Sequence, residues 1–323
     1  MRVVLCGVEY ESKLGDAVGR RLSLQGHSVV IWARAAGIPS RRREGDSHRI
    51  TGDIADDGVR REILAADVLI DLWRPVLFNS LRNVEVPRPL LLRRALKDSG
   101  KSLIVTSSVH VLGDTGPIPV GETRRLPPPM SYRSLAKLEL EILGAADVRG
   151  VVVRPGMVHG ARPTQFLGGW LGLSAHCGRG AYITPGTNRW SAVHVDDLAD
   201  LYCRLLKNAR PGLVVHAAGE SITMRDVAEV VQRESGRAGE PVGISLAEAL
   251  KFCPVAKALC QSHAISSEMA KKELGWEPSG ASILREVEVW ARRWASAPGR
   301  ARATEGDSFR TGAREPKRRR KAT

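Results

Sequence analysis

Between Val3 and Val153 the chain alternates short, almost uninterrupted apolar runs with stretches of helical period, and this alternation constrains the fold more than any other feature. A strand that is apolar at nearly every position must be covered on both faces, as in a parallel sheet. Strands separated by single helices build right-handed βαβ units. The apolar runs are Val3–Cys6, Ser28–Ala33, Arg49–Asp53, Asp67–Leu72, Ser102–Thr106 and Val151–Val153. Helices are predicted between them over 14–25, 59–66, 90–97 and 131–144, the first carrying Leu14, Val18 and Leu22 on one face. The predicted fold class is α/β, a doubly wound parallel sheet.

After Pro155-Gly156 the pattern turns irregular and rich in Gly and aromatic residues. Regular periods resume over 193–208 and 213–217, then over 224–235, 266–274 and 282–294. The predicted organisation is a sheet domain over 1–156, with 190–216 returning to it, and a smaller lobe from 157–189 and 217–296. Residues 297–323 hold nine Lys/Arg against three Asp/Glu and no apolar period, so a disordered basic tail is predicted. Trp170, inside the Gly-rich run Phe166–Leu173, reads as part of a mobile lid, and Tyr182 as a pocket-lining ring.

A chain of 323 residues that is 43% hydrophobic is not disordered as a whole. No apolar run approaches the roughly 18 residues that span a bilayer, and no secretion signal follows Met1. The five cysteines are scattered, odd in number and without a CxxC pair, which predicts reduced thiols, a cytoplasmic setting and no metal site. The net charge of +14 is compatible with acidic ligands, but no base-reading motif exists and nucleic acid is not an expected partner.

The landmarks Gly7…Gly15, Gly52-Asp53-Ile54, Asp67–Leu72, Thr106–Gly113, Arg154–Gly160, Asn188–Ala199, His216–Glu220 and Leu274–Pro278 stand in one order along the chain. In this the sequence resembles the short-chain dehydrogenase/reductase superfamily, in its extended or atypical branch, the NAD(P)-dependent epimerase/dehydratase group. The resemblance implies a Rossmann-type sheet with a C-terminal substrate lobe and a dinucleotide across the carboxyl ends of the strands. It assigns cofactor contacts to Gly7, Ser12, Lys13, Leu14, Gly15, Arg34, Asp53, Ile54, Leu72, Trp73, Pro155 and Val158. Arg34 stands where NAD-preferring relatives carry an acid, so NADP(H) is expected over NAD(H). It assigns catalysis to Ser108, Tyr132 and Lys137, a phenol acting as general acid/base beside a Lys and a Ser.

The chain also departs from that pattern. Gly7 and Gly15 are eight apart with Glu9 and Glu11 between them, and Trp73 replaces a small residue. Tyr132 and Lys137 are five apart rather than four, which on a regular helix separates them by about 140° instead of about 40°. An unwound helix start or a π-bulge would restore the pair. Otherwise His110 and His159 are substitutes, with Arg189 and Trp190 as substrate contacts. The expected function is an NADP-dependent oxidoreductase or epimerase/dehydratase-like enzyme acting on a small-molecule carbonyl or hydroxyl. The alternatives are a non-redox isomerase, cyclase or lyase on the same fold, able to run cofactor-free, and a dinucleotide-sensing regulator. Expected partners are a small-molecule substrate, no membrane and no nucleic acid, with a homodimer left open.

Removing residues 297–323 should leave the melting temperature within about 2 °C of the full chain, because the tail has no apolar face to dock. Calorimetry on the two proteins checks this, and a fall of many degrees would show that the tail packs on the body.

Overall fold

The computed structural model describes residues 1–8, 12–33, 48–72, 88–160, 165–208 and 210–296. Arg34, Trp73, Glu9, Glu11 and the tail 297–323 lie outside the described residues. In chain order the first elements are β1 (Arg2–Cys6), α1 (Ser12–Leu24), β2 (Ser28–Ala33), β3 (His48–Thr51), α2 (Asp57–Ala65), β4 (Val68–Asp71), α3 (Arg88–Ala95) and β5 (Ser102–Thr106). Two 3-10 turns, Val109–Leu112 and Met130–Tyr132, lead to α4 (Arg133–Leu143), β6 (Arg149–Pro155), β7 (Met157–His159), α5 (Gln165–Cys177) and β8 (Ala181–Ile183). The remainder is β9 (Arg189–His194), α6 (Val195–Asn208), β10 (Leu213–Ala217), β11 (Glu220–Thr223), α7 (Met224–Glu234), β12 (Val242–Ile244), α8 (Leu246–Ala249), α9 (Ala256–Leu259), α10 (Glu268–Leu274) and α11 (Ile283–Ser296).

Among the described residues seven strands form one parallel sheet in the order β10-β6-β5-β4-β1-β2-β3. The α/β Rossmann-type fold is therefore the one the apolar runs implied. Successive residues point to opposite faces. Val3, Leu5, Ile31 and Ile70 pack under α1 and α6, through Leu14, Val18, Leu22, Leu198 and Leu201. Val4, Val30, Leu69 and Val105 pack under α2, α3 and α4, through Ile63, Leu92, Leu135, Leu138 and Ile142. The order reverses between β1 and β4, the position where open α/β sheets bind ligands.

Two polar ties hold the sheet's carboxyl edge. Thr106 Oγ1 donates to the Asp71 carbonyl at 2.8 Å and meets Tyr202 Oη at 2.6 Å, all buried. The Arg154 guanidinium at the end of β6 binds the Glu139 carboxylate of α4 through both oxygens, at 3.0 and 2.6 Å. Such a fork fixes both the distance and the rotation of the helix.

The chain divides into two compact units. The larger contains 1–162, 188–223 and 261–285, and the smaller contains 163–187, 224–260 and 286 onward. The stretch 261–285, which the sequence reading gave to the smaller lobe, thus belongs with the sheet. Its first residues run beside β9: His263 N donates to the Arg189 carbonyl at 2.7 Å and Ser191 N to the His263 carbonyl at 3.0 Å. On the other side Val120 N donates to the Ala264 carbonyl at 3.1 Å. Further on, Trp276 Nε1 donates to the Asp197 carbonyl at 2.9 Å, and the Asp197 carboxylate accepts from Ser279 N and Gly280 N. The 188–199 and 274–278 landmarks are two halves of one lock.

Within the smaller unit the Gly-rich run predicted as a lid is helix α5, with Trp170 buried. Gly169 explains the misreading. A Cβ there would stand 3.0 Å from Leu259 Cδ1, so the glycine serves close packing of α5 against α9 and not mobility. Tyr182 packs over Gly186 and under the Arg225 guanidinium, 5.4 Å from its ring centroid.

Glu139→Leu should cost about 3 kcal/mol or more in urea unfolding, because it strands a buried guanidinium. An unchanged midpoint would mean that the pair does not anchor α4.

Candidate active site

Residues 9–11, between β1 and α1, lie outside the described residues; on either side of them β1 runs into Gly7-Val8 and α1 begins at Ser12. Gly7 has φ +79°, a conformation that favours glycine. Helix α1 opens at Ser12 with no acid in its first turn. A Cβ on Gly15 would stand 2.6 Å from Val8 Cγ1, so only glycine lets α1 lie this close to the chain leaving β1. Leu14 is buried and Lys13 is exposed. A helix N-terminus at the carboxyl end of β1 suits a diphosphate. The described residues therefore fit a dinucleotide, despite the long Gly7–Gly15 spacing. At the end of β3, Asp53 is exposed and its carboxylate accepts from Ala55 N at 3.1 Å, with Ile54 half-buried against the core. Leu72 is buried and its N–H extends β4 to the Cys6 carbonyl at 2.9 Å. Pro155 ends β6, and Val158 of β7 packs into the core. Between them a Cβ on Gly156 would sit 2.4 Å from the Ser191 carbonyl oxygen, which lets β7 cross tightly beside β9.

At the carboxyl end of β5 the chain enters the 3-10 turn through Ser108. Its Oγ accepts from His110 N at 3.3 Å, and the side chain is buried. The His110 ring lies 5.3 Å from the Tyr132 ring, 5.4 Å from Trp190 and 4.4 Å from His263, centroid to centroid. His110 Nδ1 and His263 Nε2 are hydrogen-bonded at 3.2 Å. Ser108, His110, Tyr132, Trp190 and His263 thus form one cluster.

Tyr132 closes the second 3-10 turn and precedes Arg133, the first residue of α4. The helix start is irregular, the first of the two ways in which the five-residue spacing was expected to be absorbed. It does not bring Lys137 to Tyr132. Leu135, Leu138, Glu139 and Ile142 face the sheet, and Lys137, about 200° around the helix from Glu139, is exposed. No hydrogen bond links Lys137 with Tyr132 or Ser108 among the described residues. Burial pushes the Tyr132 phenol well above its ordinary value.

The other substitutes sit elsewhere. His159 is buried, with Nε2 3.6 Å from Glu220 Oε1 and its ring 5.3 Å from His194. Glu220 in turn accepts from Ser282 Oγ and Ile283 N at 2.6 Å each. This is a packing network, and none of these contacts touches the Ser108 cluster. Arg189 contributes backbone: its carbonyl holds His263 N and its N–H donates to Ser262 Oγ at 3.1 Å. Trp190 is buried, anchored by Nε1 to the Gln261 carbonyl at 2.7 Å, and forms a wall of the cluster.

Sequence reasoning missed His263 and Asp114. Asp114 Oδ1 accepts from Gly116 N at 3.0 Å and from Ser262 N at 3.1 Å, so it seats the segment that carries His263. No motif marks either residue; the available cue was His263 flanked by Ser262, Ala264 and Ile265, a short buried run. His263 is pushed down to about 4, chiefly by burial, with Asp114 and the Gly113 carbonyl opposing. His216, whose backbone N–H donates to Glu122 Oε1 at 3.0 Å, has its ring pushed down to about 4 by burial and by Arg154. No group of three or more metal-ligating side chains occurs among the described residues, none of whose helices is long and apolar enough to cross a membrane.

The chain belongs to the NAD dependent epimerase/dehydratase family, whose pattern matches residues 12–218. The match opens just past Gly7 and the Glu9–Glu11 insertion. An uncharacterized protein of Schizosaccharomyces pombe, C2A9.02, is similar at 25% identity over 300 residues, 89% of this chain and 98% of that one. Among solved structures, the dTDP-glucose 4,6-dehydratase of Bacillus anthracis in complex with NAD superposes with a TM-score of 0.67 at 17% identity, over 91% of this chain and 98% of that one. A human epimerase family protein with NADPH superposes with a TM-score of 0.63 at 20% identity, over 91% and 99%. These two likenesses show the fold.

The buried histidines predict an acid-labile fold. Their folded values lie below the unfolded value of about 6.5, so between these limits the unfolded chain binds more protons. Stability is therefore full above pH 6.5 and falls as pH drops toward 4, by about 1.4 kcal/mol per pH unit for each histidine. Glu122, raised by burial, acts in the opposite sense near its own titration. Urea unfolding from pH 7 to 5 should show this slope, and His216→Asn should flatten it by about half. An equal slope in the variant would show that His216 is protonated in the native state.

Proposed function

We propose that the protein is an NADP(H)-dependent enzyme of the epimerase/dehydratase type, acting on a carbonyl or hydroxyl of a small molecule. The observation that carries this reading is the meeting of Ser108, His110 and Tyr132 at the carboxyl end of β5, in the unit that holds the Gly7/Gly15 cradle. The helix α1 N-terminus with Gly7 and Gly15 would hold the diphosphate, Asp53 and Ile54 the adenine end, and Arg34 the 2′-phosphate. When bound, the nicotinamide supplies a hydride donor or acceptor. The chain itself orients the substrate oxygen. Because Ser108 Oγ already accepts from His110 N, its own hydrogen remains to donate. Tyr132, raised by burial, keeps its proton at neutral pH and is a second donor. Placement in a reducing, cytoplasmic compartment is consistent with five cysteines that form no disulfide.

The exposure of Lys137 favours a second reading, in which the fold runs a non-redox isomerisation, cyclisation or elimination. Fluorescence titration with NADPH and NADH separates the two. Tight NADPH binding is expected, and absence of binding by both leaves the second reading.

Arg34→Ala should weaken NADPH by one charge-assisted contact, about 1.5–3 kcal/mol, and leave NADH nearly unchanged. Equal loss for both would reject the 2′-phosphate role. With an active carbonyl substrate in hand, Tyr132→Phe should lower kcat by roughly 10²-fold and change KM little. A silent substitution would remove Tyr132 from the site.

A further inference from the structure

We propose that the carboxyl end of α11, with the basic segment that follows it, docks on an anionic lipid surface. The chain holds seven tryptophans. Trp32, Trp170, Trp190 and Trp276 are buried, as the apolar area of an indole favours. Trp290 and Trp294, both on α11, are only half-buried. They stand one helical turn apart and their rings stack, with 5.6 Å between centroids and 11° between planes. Val289 beside them is 48% exposed. Arg293 is exposed on the same stripe, three residues after Trp290 and one before Trp294. The inward face of the helix is occupied separately, by Ile283, Val287 and Ala291, all buried.

The sequence continues past this turn with residues 297–323, nine of them Lys or Arg and three Asp or Glu. Five of the nine are consecutive, Lys317 to Lys321, and the acids Glu305, Asp307 and Glu315 all precede them. Five adjacent cations attract any polyanion, over a range set by the Debye length. Half-exposed indoles favour the boundary between water and hydrocarbon, where the ring meets an apolar medium and the N–H stays hydrated. A bilayer with anionic headgroups satisfies both, and reversible attachment takes such a pairing of an apolar signal with a polybasic one. A nucleic acid would satisfy the cations alone: bases stack on open ring faces, whereas Trp290 and Trp294 each cover one face of the other. Docking of this kind is one-sided and needs no spanning helix, the criterion on which the expectation of no membrane partner rested.

The test uses the full chain, sedimented with vesicles of phosphatidylcholine with and without phosphatidylglycerol. Pelleting is expected with the anionic vesicles alone, and is expected to disappear when salt is raised from about 0.1 M to about 1 M. Brominated phosphatidylcholine in the anionic vesicles should quench tryptophan emission. The double variant Trp290→Phe and Trp294→Phe, checked for an unchanged circular dichroism spectrum, should lose most of that quenching. Replacing Lys317, Arg318, Arg319, Arg320 and Lys321 together by Gln leaves α11 intact and should lower the partition coefficient by at least about tenfold. Absence of pelleting, pelleting indifferent to phosphatidylglycerol, quenching that survives in the double Phe variant, or partitioning unchanged by the five Gln substitutions would each overturn the proposal. Binding of a single-stranded oligonucleotide that anionic vesicles fail to displace would overturn it as well, in favour of nucleic acid.

Discussion

The fork between Arg154 and Glu139 sets the phase of α4, and the character of the site follows from that phase. Both groups are buried, so the carboxylate cannot rotate away without stranding a charge. Tyr132, at the N-cap of α4 with φ −115° and ψ 3°, lies off the regular helix, with its ring 5.3 Å from that of His110. Lys137, about 200° from Glu139, falls on the opposite face. The five-residue spacing is thus not corrected by the irregular helix start. The 3-10 turn adjusts Tyr132 against His110, while the part of α4 that carries Lys137 is already held by its apolar face and by the ion pair. A half-buried phenol keeps its proton at neutral pH, and His263, which pairs with His110, comes from another element.

That element is the 261–267 segment, which owes its place to hydrogen bonds on both edges. Ser191 Oγ accepts from Ile265 N at 2.9 Å and donates to the Ile265 carbonyl at 3.2 Å. Thr115 Oγ1 accepts from Ala264 N at 2.8 Å, and Asp114 accepts from Ser262 N. A ribbon bonded on both edges has little freedom, and its side chains are correspondingly fixed. His263 becomes a buried neutral ring as a consequence of where its backbone is tied. The desolvation that lowers its basicity keeps it neutral beside His110 at neutral pH.

Most of the sheet was legible because covering a strand on both faces leaves a nearly continuous apolar run, and such runs are visible without tertiary information. The landmarks at 188–199 and 274–278 were legible as strings, but their purpose was not: Asp197 caps the 279–280 turn and holds Trp276, a contact across about eighty residues. Helix α5 was misread because Gly168 and Gly169 suggest flexibility when their neighbours are unknown. The cofactor turn was half legible. Gly7 and Gly15 were identified from position, and the closeness of Gly15 to Val8 supplies the reason that the helix tolerates no side chain there.

The site divides along the same line. Ser108, His110 and Tyr132 were nameable because they sit within a few residues of strand and helix ends whose positions the periodicity predicts. His263 was not, since 153 residues separate it from His110 and the pairing depends on how two loops meet at β9. Histidines 110, 159, 216 and 263 are alike in sequence as lone rings near apolar residues. What distinguishes them is their partners: a carboxylate for His159, a buried backbone corner for His216, and another imidazole for both His110 and His263. Of these settings, the imidazole pair is the one with a ring half-buried at the carboxyl edge of the sheet. That edge is where a parallel sheet gathers its ligands, so polar groups left there serve chemistry more readily than packing.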